Sequence, residues 1–367
     1  MSSFTLPDHQ SAIVCISKTS GANIAVSPHA ALPVPLASDQ VLVQTMAVAL
    51  NPCDWKMPDN FPAIGSTGGS DFAGTIVALG VDVQEAGHPD LAIGDRVCGA
   101  VHGFNPANRA GGCFSEYVAA TADILMKIPL GVSWEEAAAI GGTGIATLGV
   151  AFYGHLKIGF SPEKPASGAE AFPVLVYGGG TATGTMAIQL LKASGLRPLA
   201  VCSLESAGLA LSYGAEKAFN YNSPNCSADI KSYTKGRLNR VLDIIANPAS
   251  IKLCYEAMGR LGGTYVGLEL LLETPPRQLV KASWVMGQTI FGKELQLSGG
   301  YERPAIPAHR DLGKKWFAEV QELWHKNAIK SHPVNVGPEK GLDAVLKGID
   351  LLRRGAVARE KLVYFLR

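Results

Sequence analysis

The chain has 367 residues, 47% of them hydrophobic, and a formal net charge of +1. That length admits two domains and that apolar content a large core, while the balanced charge, without a basic or acidic block, argues against nucleic acid or a membrane surface as partner. Seven cysteines (15, 53, 98, 113, 202, 226 and 254) are scattered without a C-x-x-C pair, which points to reduced thiols in a cytoplasmic setting rather than to disulfides or structural zinc.

The first ten residues, MSSFTLPDHQ, hold no apolar signal core, so no leader is expected. Residues 12–120 read as β-rich. Ala12–Ser17, Gln40–Leu50, Phe72–Leu79, Asp95–Ala100 and Phe114–Ala119 are short apolar or alternating runs, punctuated by Gly and Pro. Ser133-Trp-Glu-Glu136 is a capping box, and the helix it starts runs, with breaks, to about Leu156. The most apolar stretch, Ala137–Tyr153, is broken by glycines and reads as a buried helix, too short for a membrane span. Gly159–Phe172 is a polar surface insert.

From Pro173 the pattern alternates. Strands near 174–177, 199–202, 217–220, 240–245 and 263–267 separate helices near 181–194, 205–213, 226–235 and 248–259. Alternation of this kind predicts a parallel sheet with helices on both faces. Helical patterns return at His309–Lys326 and Leu342–Arg353, and Lys361–Leu366 reads as a last strand.

The richest stretch is Val174–Gly195, VLVYGGGTATGTMAIQLLKASG. Four apolar residues, three glycines and a helical pattern match the first strand, phosphate turn and first helix of a dinucleotide-binding βαβ unit. Gly178 and Gly180 fit G-x-G, but the sixth position is Thr183, with Gly184 one later. The second strand ends at Cys202, followed by Ser203, Leu204, Glu205 and Ser206. NAD-preferring units place Asp or Glu at that tip. Ser203 can hydrogen-bond a 2′-phosphate without repelling it, which favours NADPH; Glu205 and the lack of a nearby Arg or Lys point the other way.

The expected architecture is α/β: a Rossmann doubly wound parallel sheet at 136–304, and a discontinuous β-rich catalytic domain at 1–135 and 305–367. This order, with Asn51-Pro-Cys-Asp54, Gly69-Ser-Asp-Phe-Ala-Gly74, Gly94-Asp-Arg-Val97 and the glycine turn, resembles the medium-chain dehydrogenase/reductase superfamily, whose first domain is GroES-like. In its zinc alcohol dehydrogenases the Asn51 position is a cysteine ligand and the Ser70 position a histidine. Amide and hydroxyl are poor zinc ligands, so no metal is expected.

Asn51–Met57 (NPCDWKM), Leu175–Thr185 (LVYGGGTATGT), Cys202–Ser206 (CSLES), Thr289–Glu294 (TIFGKE) and Gly355–Val363 (GAVAREKLV) resemble more closely the trans-acting enoyl reductases of fungal polyketide synthases. The resemblance implies an NADPH-dependent reduction of an α,β-unsaturated thioester, carried as a polyketide chain on a separate partner synthase. It implies Cys53, Asp54, Trp55 and Lys56 beside the nicotinamide and Thr147 on its carboxamide. Gly180, Thr181, Ala182 and Thr183 would cradle the pyrophosphate. Ser203, Leu204, Glu205 and Ser206 would hold the 2′-phosphate, with Tyr221 near the adenosine. Leu268, Glu269, Val357 and Ala358 would flank the nicotinamide end. Leu148, Gly149, Val150, Ala151, Phe152, Tyr153, Gly154 and His155, with Thr289, Ile290, Phe291, Gly292 and Lys293, would line the acyl pocket.

Such a reduction needs a donor for the charge that develops on the thioester oxygen. From composition alone Lys56 reads as a solvated loop lysine; the resemblance makes it the catalytic cation. Arg277, Lys293 and Arg303 are candidates for docking an acyl carrier. Gly299–Pro304, placed near the Rossmann sheet edge, is poor in pairing and favours a monomer. The other readings are a zinc-free quinone or small-enone reductase and a non-redox isomerase or cyclase on the same scaffold.

Overall fold

The computed structural model describes residues 6–84, 90–271 and 277–367; part of the segment read for a leader lies outside that range. The chain divides into two units. One comprises residues 1–143, 294–304 and 333–367, the other 144–293 and 305–332.

The first unit is built on a seven-stranded sheet. Its path runs Val334–Val336, Lys361–Phe365, Gln40–Ala49, Asp71–Leu79, Arg96–Ala100 and Leu125–Lys127, with Tyr117–Thr121 also paired to Gln40–Ala49. The strand Lys361–Phe365 lies antiparallel to Gln40–Ala49, with Val363 opposite Ala49. Phe72, Ile76, Val97, Phe104 and Phe114 fill the core beneath. A helix, Cys53–Asn60, follows the Asn51-Pro52 step. Proline is tolerated at that point because the first N–H of a helix has no intrahelical acceptor. Lys56 therefore sits on a helix, where the sequence suggested a loop.

The second unit holds a six-stranded parallel sheet in the order Lys217–Asn220, Arg197–Cys202, Pro173–Tyr177, Arg240–Asp243, Gly263–Gly267 and Val280–Trp284. Numbered along the chain this is 3-2-1-4-5-6, the doubly wound Rossmann order. Its outermost strands are Lys217–Asn220 and Val280–Trp284. The segment Gly299–Pro304 belongs to the other unit, so its glycines and proline say nothing about pairing at this sheet's edge.

The unit boundaries depart from the expected ones in two ways: residues 136–143 and 294–304 fall in the first unit, and 305–332 in the second. The reason for the latter is the helix Pro307–His325, which buries Trp316, Phe317, Val320 and Trp324. The Trp316 indole donates to the Ile145 carbonyl at 2.8 Å, and its ring meets Phe152 edge-on at 6.2 Å. Truncating a Trp buried in this way costs about 3–5 kcal/mol, enough to fix where the helix belongs. The capping box at Ser133 and Glu136 is present. The helical stretch it opens, Trp134–His155, is 22 residues long, enough by length and composition to cross a membrane, but 72% of its apolar window is buried inside the protein, as the reading of Ala137–Tyr153 as a buried helix expects.

Candidate active site

In the second unit the strand Pro173–Tyr177 feeds directly into the glycine turn. Gly178 has φ +85°, a left-handed conformation that glycine adopts without strain. A Cβ on Gly180 would lie 2.5 Å from the Ser206 Cβ, and one on Gly184 would lie 2.2 Å from the Gly178 carbonyl oxygen. Gly184 therefore supplies the close helix–strand packing expected of the third motif glycine, one place later than the usual spacing. Thr181 caps the helix Ala182–Ala193, its Oγ1 accepting from the Gly184 N–H at 3.0 Å. Ala182 and Thr183 are its first residues, so their N–H groups have no intrahelical acceptor and meet an anion with the helix's positive end. These residues fit a dinucleotide's pyrophosphate.

Ser203 stands at the end of the second strand, and its hydroxyl donates to the Ser206 Oγ at 3.2 Å. Leu204 and Glu205 are exposed and Ser206 is buried. Tyr221 is exposed and stacks on Tyr177, ring centroids 6.1 Å apart. Leu268 and Glu269 follow the strand Gly263–Gly267 and are half-buried. The strand end beyond Arg240–Asp243 carries a group the sequence reading passed over. Buried Asp243 accepts from the Ile245 and Ala246 N–H groups and the Tyr265 hydroxyl. Burial holds its carboxyl above the usual range, against those three donors and Ser250.

The two segments expected in an acyl pocket lie within the same unit. Leu148, Gly149, Val150, Ala151 and Phe152 are buried, and Tyr153, Gly154 and His155 half-buried. Thr289 and Ile290 are buried, Phe291 and Gly292 half-buried, and Lys293 exposed. Thr147 is half-buried, and its Oγ1 stands 2.2 Å from where a Cβ on Gly287 would be. His155 Nδ1 is 2.9 Å from the Ser283 hydroxyl.

His309 joins the two segments, and the sequence reading missed it. Thr289 Oγ1 donates to the Met286 carbonyl, so the 2.9 Å contact with His309 Nδ1 has the imidazole N–H as donor. Its Nε2 lies 3.6 Å from where a Cβ on Gly154 would stand. Burial, then the charge of Lys157, holds the ring below its ordinary pKa.

In the first unit a polar cluster forms where the strand Asp71–Leu79 meets the helix Cys53–Asn60. Asp71 is fully buried; it accepts from the Asn51 amide at 2.9 Å, the Thr143 N–H at 2.7 Å and Lys361 Nζ at 3.1 Å. Lys361 also donates to Asn51 Oδ1 at 2.5 Å. Asp54 accepts from the Asn51 N–H at 2.7 Å and the Ser70 hydroxyl at 3.2 Å. Burial raises its carboxyl to about 7, helped by the Asp71 charge and opposed by the Asn51 N–H, Lys361 and Ser70. The Cys53 thiol is likewise pushed up, by burial and then by Asp54, which keeps it protonated and unreactive. Trp55 and Lys56 are half-buried, with the ammonium 5.9 Å from the indole centroid. Val357 is half-buried and Ala358 exposed.

This donor set suits zinc poorly. Asn51 and Ser70 offer an amide and a hydroxyl; of the two buried carboxylates beside them, Asp71 already faces the Lys361 ammonium and Asp54 is held by the Asn51 N–H and the Ser70 hydroxyl. Among the described residues no group of three or more His, Cys, Asp or Glu side chains is arranged to hold a metal ion.

Of the residues expected to dock a carrier, Arg277 is committed elsewhere. Its guanidinium donates to the Tyr255, Met258 and Gly259 carbonyls, at the C-terminal end of the helix Pro248–Ala257. Arg303 donates to the Gly300 and Glu302 carbonyls of its own turn.

The sequence matches the family described as alcohol dehydrogenase GroES-like domain over residues 37–130, and that described as zinc-binding dehydrogenase over 182–299. The trans-enoyl reductase ffsC of Aspergillus flavipes is 44% identical over 364 residues, covering 99% of this chain and 97% of its own. The chain belongs to the trans-enoyl reductases of the medium-chain dehydrogenase/reductase superfamily. A second member, ccsC of Aspergillus clavatus, is 46% identical over 339 residues, covering 92% of each chain. This family uses a nicotinamide cofactor. Solved structures show the same fold at lower identity. The CurK enoyl reductase has a TM-score of 0.69 at 18% identity, covering 98% of this chain and 100% of its own. An alcohol dehydrogenase superfamily protein from Novosphingobium aromaticivorans has a TM-score of 0.75 at 20% identity, with 98% and 100% coverage.

Proposed function

We propose that this chain is an NADPH-dependent trans-acting enoyl reductase. It reduces the α,β-unsaturated thioester of a polyketide chain held by a partner polyketide synthase, and it does so without zinc. The observation that carries the reading is the near full-length match to trans-enoyl reductases, 44% over 99% of the chain, in a protein whose glycine turn is built for a dinucleotide.

When bound, the nicotinamide would supply hydride to the β-carbon, and the enolate that results takes a proton at its α-carbon from water. The chain's own residues bind, orient and stabilise charge. Ala182 and Thr183 N–H groups and the helix they open hold the pyrophosphate. Ser203 and Ser206 present hydroxyls, not a carboxylate, to the ribose, which suits a 2′-phosphate. Thr147 holds the carboxamide. Lys56 meets the thioester oxygen as negative charge gathers there; a donor in that role is typically worth about 10²–10³ in rate. The cluster around Asp71 is structural: it fixes the loop from which the helix of Lys56 departs. Asn51 and Ser70 stand at the positions where the resemblance puts zinc ligands, which supports a metal-free reaction.

The test is spectrophotometric. NADPH and NADH oxidation are followed with crotonyl and longer enoyl thioesters, and with a simple quinone. The reading requires thioester reduction with NADPH preferred. Faster turnover of the quinone would make the chain a quinone or small-enone reductase. Product formation without cofactor consumption would make it an isomerase or cyclase.

A further inference from the structure

A groove of about 530 Å³ lies on the first unit, outside the polar cluster. Phe61, Pro62, Ile64, Pro106 and Leu297 give it an apolar lining. Asn60, Gln296 and Ser298 add amide and hydroxyl groups, and Lys18 and Arg109 add two cations. Both cations are exposed, and among the described residues neither has a hydrogen-bond or ion partner. The nearby carboxylates are engaged. Asp59 bonds Arg353 and the Gly21 N–H, Glu302 the Gly300 N–H, and Glu294 the Gln296 side-chain amide.

The groove begins one helical turn from Lys56. Asn60 follows Lys56 by four residues on the helix Cys53–Asn60, so the two share a face about 6 Å apart along the axis. An occupant reaching from Lys56 along this groove needs apolar length, hydrogen-bonding groups within that length and an anion near Lys18 and Arg109. We propose that the groove binds the 4′-phosphopantetheine arm that bears the thioester, with its phosphate on Lys18 and Arg109 and its amides against Asn60, Gln296 and Ser298. This inference rests on the enoyl reductase reading and names how that substrate is recognised.

The test compares two enoyl thioesters that differ only in the phosphate, enoyl-pantetheine and enoyl-4′-phosphopantetheine. The purified full chain should favour the phosphorylated one in kcat/KM by roughly two- to thirty-fold, the size expected of two exposed ion contacts. The preference should fade as salt is raised. In the double variant Lys18→Ala, Arg109→Ala the preference should vanish, while kcat/KM for enoyl-pantetheine stays as in the parent. Equal rates for both substrates in the parent chain overturn the proposal and leave the enoyl reductase reading standing. So does a preference that survives the double variant, or one that follows acyl length and not the phosphate. Failure of the parent chain to reduce either thioester sinks the reading itself. Enoyl-CoA and an enoyl-loaded carrier protein distinguish the phosphate's source. Loss with both variants of substrate supports recognition of the arm, and loss with the carrier alone overturns it in favour of the carrier's protein surface.

Discussion

Lys361 Nζ lies 3.1 Å from Asp71 Oδ2, with the two side chains 6% and 0% exposed. This ion pair lies buried in the first unit, and the Asn51 side chain bonds both members. Removing one member of such a pair leaves a buried charge and typically costs about 3–5 kcal/mol. Lys361→Met should therefore lower the urea midpoint steeply. An unchanged midpoint would show that Asp71 needs no cation.

Asp54 gives a pH signature. Its carboxyl moves from 3.8 to about 7 on folding. Between those values the folded protein holds the proton more tightly than the unfolded chain, so this group lowers stability as pH rises, and the loss is complete above about 7. Asp54→Asn cannot ionise. The variant's stability relative to the parent should rise from pH 4 to pH 7 and then level off. Urea midpoints across that range check it, and a flat difference would mean that Asp54 ionises as freely in the fold as outside it.

Gly180 and Gly208 should respond in opposite ways to an added methyl. Gly180→Ala drives a methyl to 2.5 Å from the Ser206 Cβ, so cofactor fluorescence should report weak or absent binding. At Gly208, in the helix Leu204–Ser212, an added Cβ meets nothing within 4 Å. Gly208→Ala should raise stability by about 0.5–1 kcal/mol and leave binding alone. Thermal melts and cofactor titrations of the two variants, side by side, are the measurement.

The hydroxyl at the second strand's tip sets cofactor choice if the proposed reading holds. Ser203→Asp would face a 2′-phosphate with a carboxylate. The ratio of NADPH to NADH affinity should then fall by about tenfold or more, which is 1.4 kcal/mol. Titration with each cofactor measures it, and an unaltered ratio would place the ribose elsewhere.

Lys56→Met should reduce kcat by about 10²–10³ with the cofactor dissociation constant held. A rate within twofold of the parent would remove Lys56 from the chemistry. Loss of cofactor affinity in equal measure would make it a binding residue only.

Much of this was readable because it is local. The glycine turn and the Ser133–Glu136 capping box each sit within a few residues, and strand–helix alternation announced the parallel sheet. Lys56 was picked out with its helix unseen, because Cys53–Asn60 is short and contains Pro58. What the sequence hid is assembled at long range. Asn51, Asp71 and Lys361 meet only through strand pairing, the last two standing 290 positions apart in the chain. His309 belongs to a helix whose amphipathic pattern is plain but whose docking partner is not. The Gly184 role was masked by one extra residue in the motif. The strand Val280–Trp284, which forms the sheet edge, has an exposed and half-buried pattern that carries little signal.

The distance along the chain between Asp71 and its cation has a consequence for biosynthesis. A nascent polypeptide displays this carboxylate long before the matching ammonium has been made, and every residue from 144 to 293 emerges in the interval. The Rossmann sheet can mature while the other sheet still lacks its strand Lys361–Phe365 and holds an acid without its ammonium partner. Stalled or prematurely ended translation products should therefore carry one finished half and one open, acid-bearing half, ready for chaperone capture.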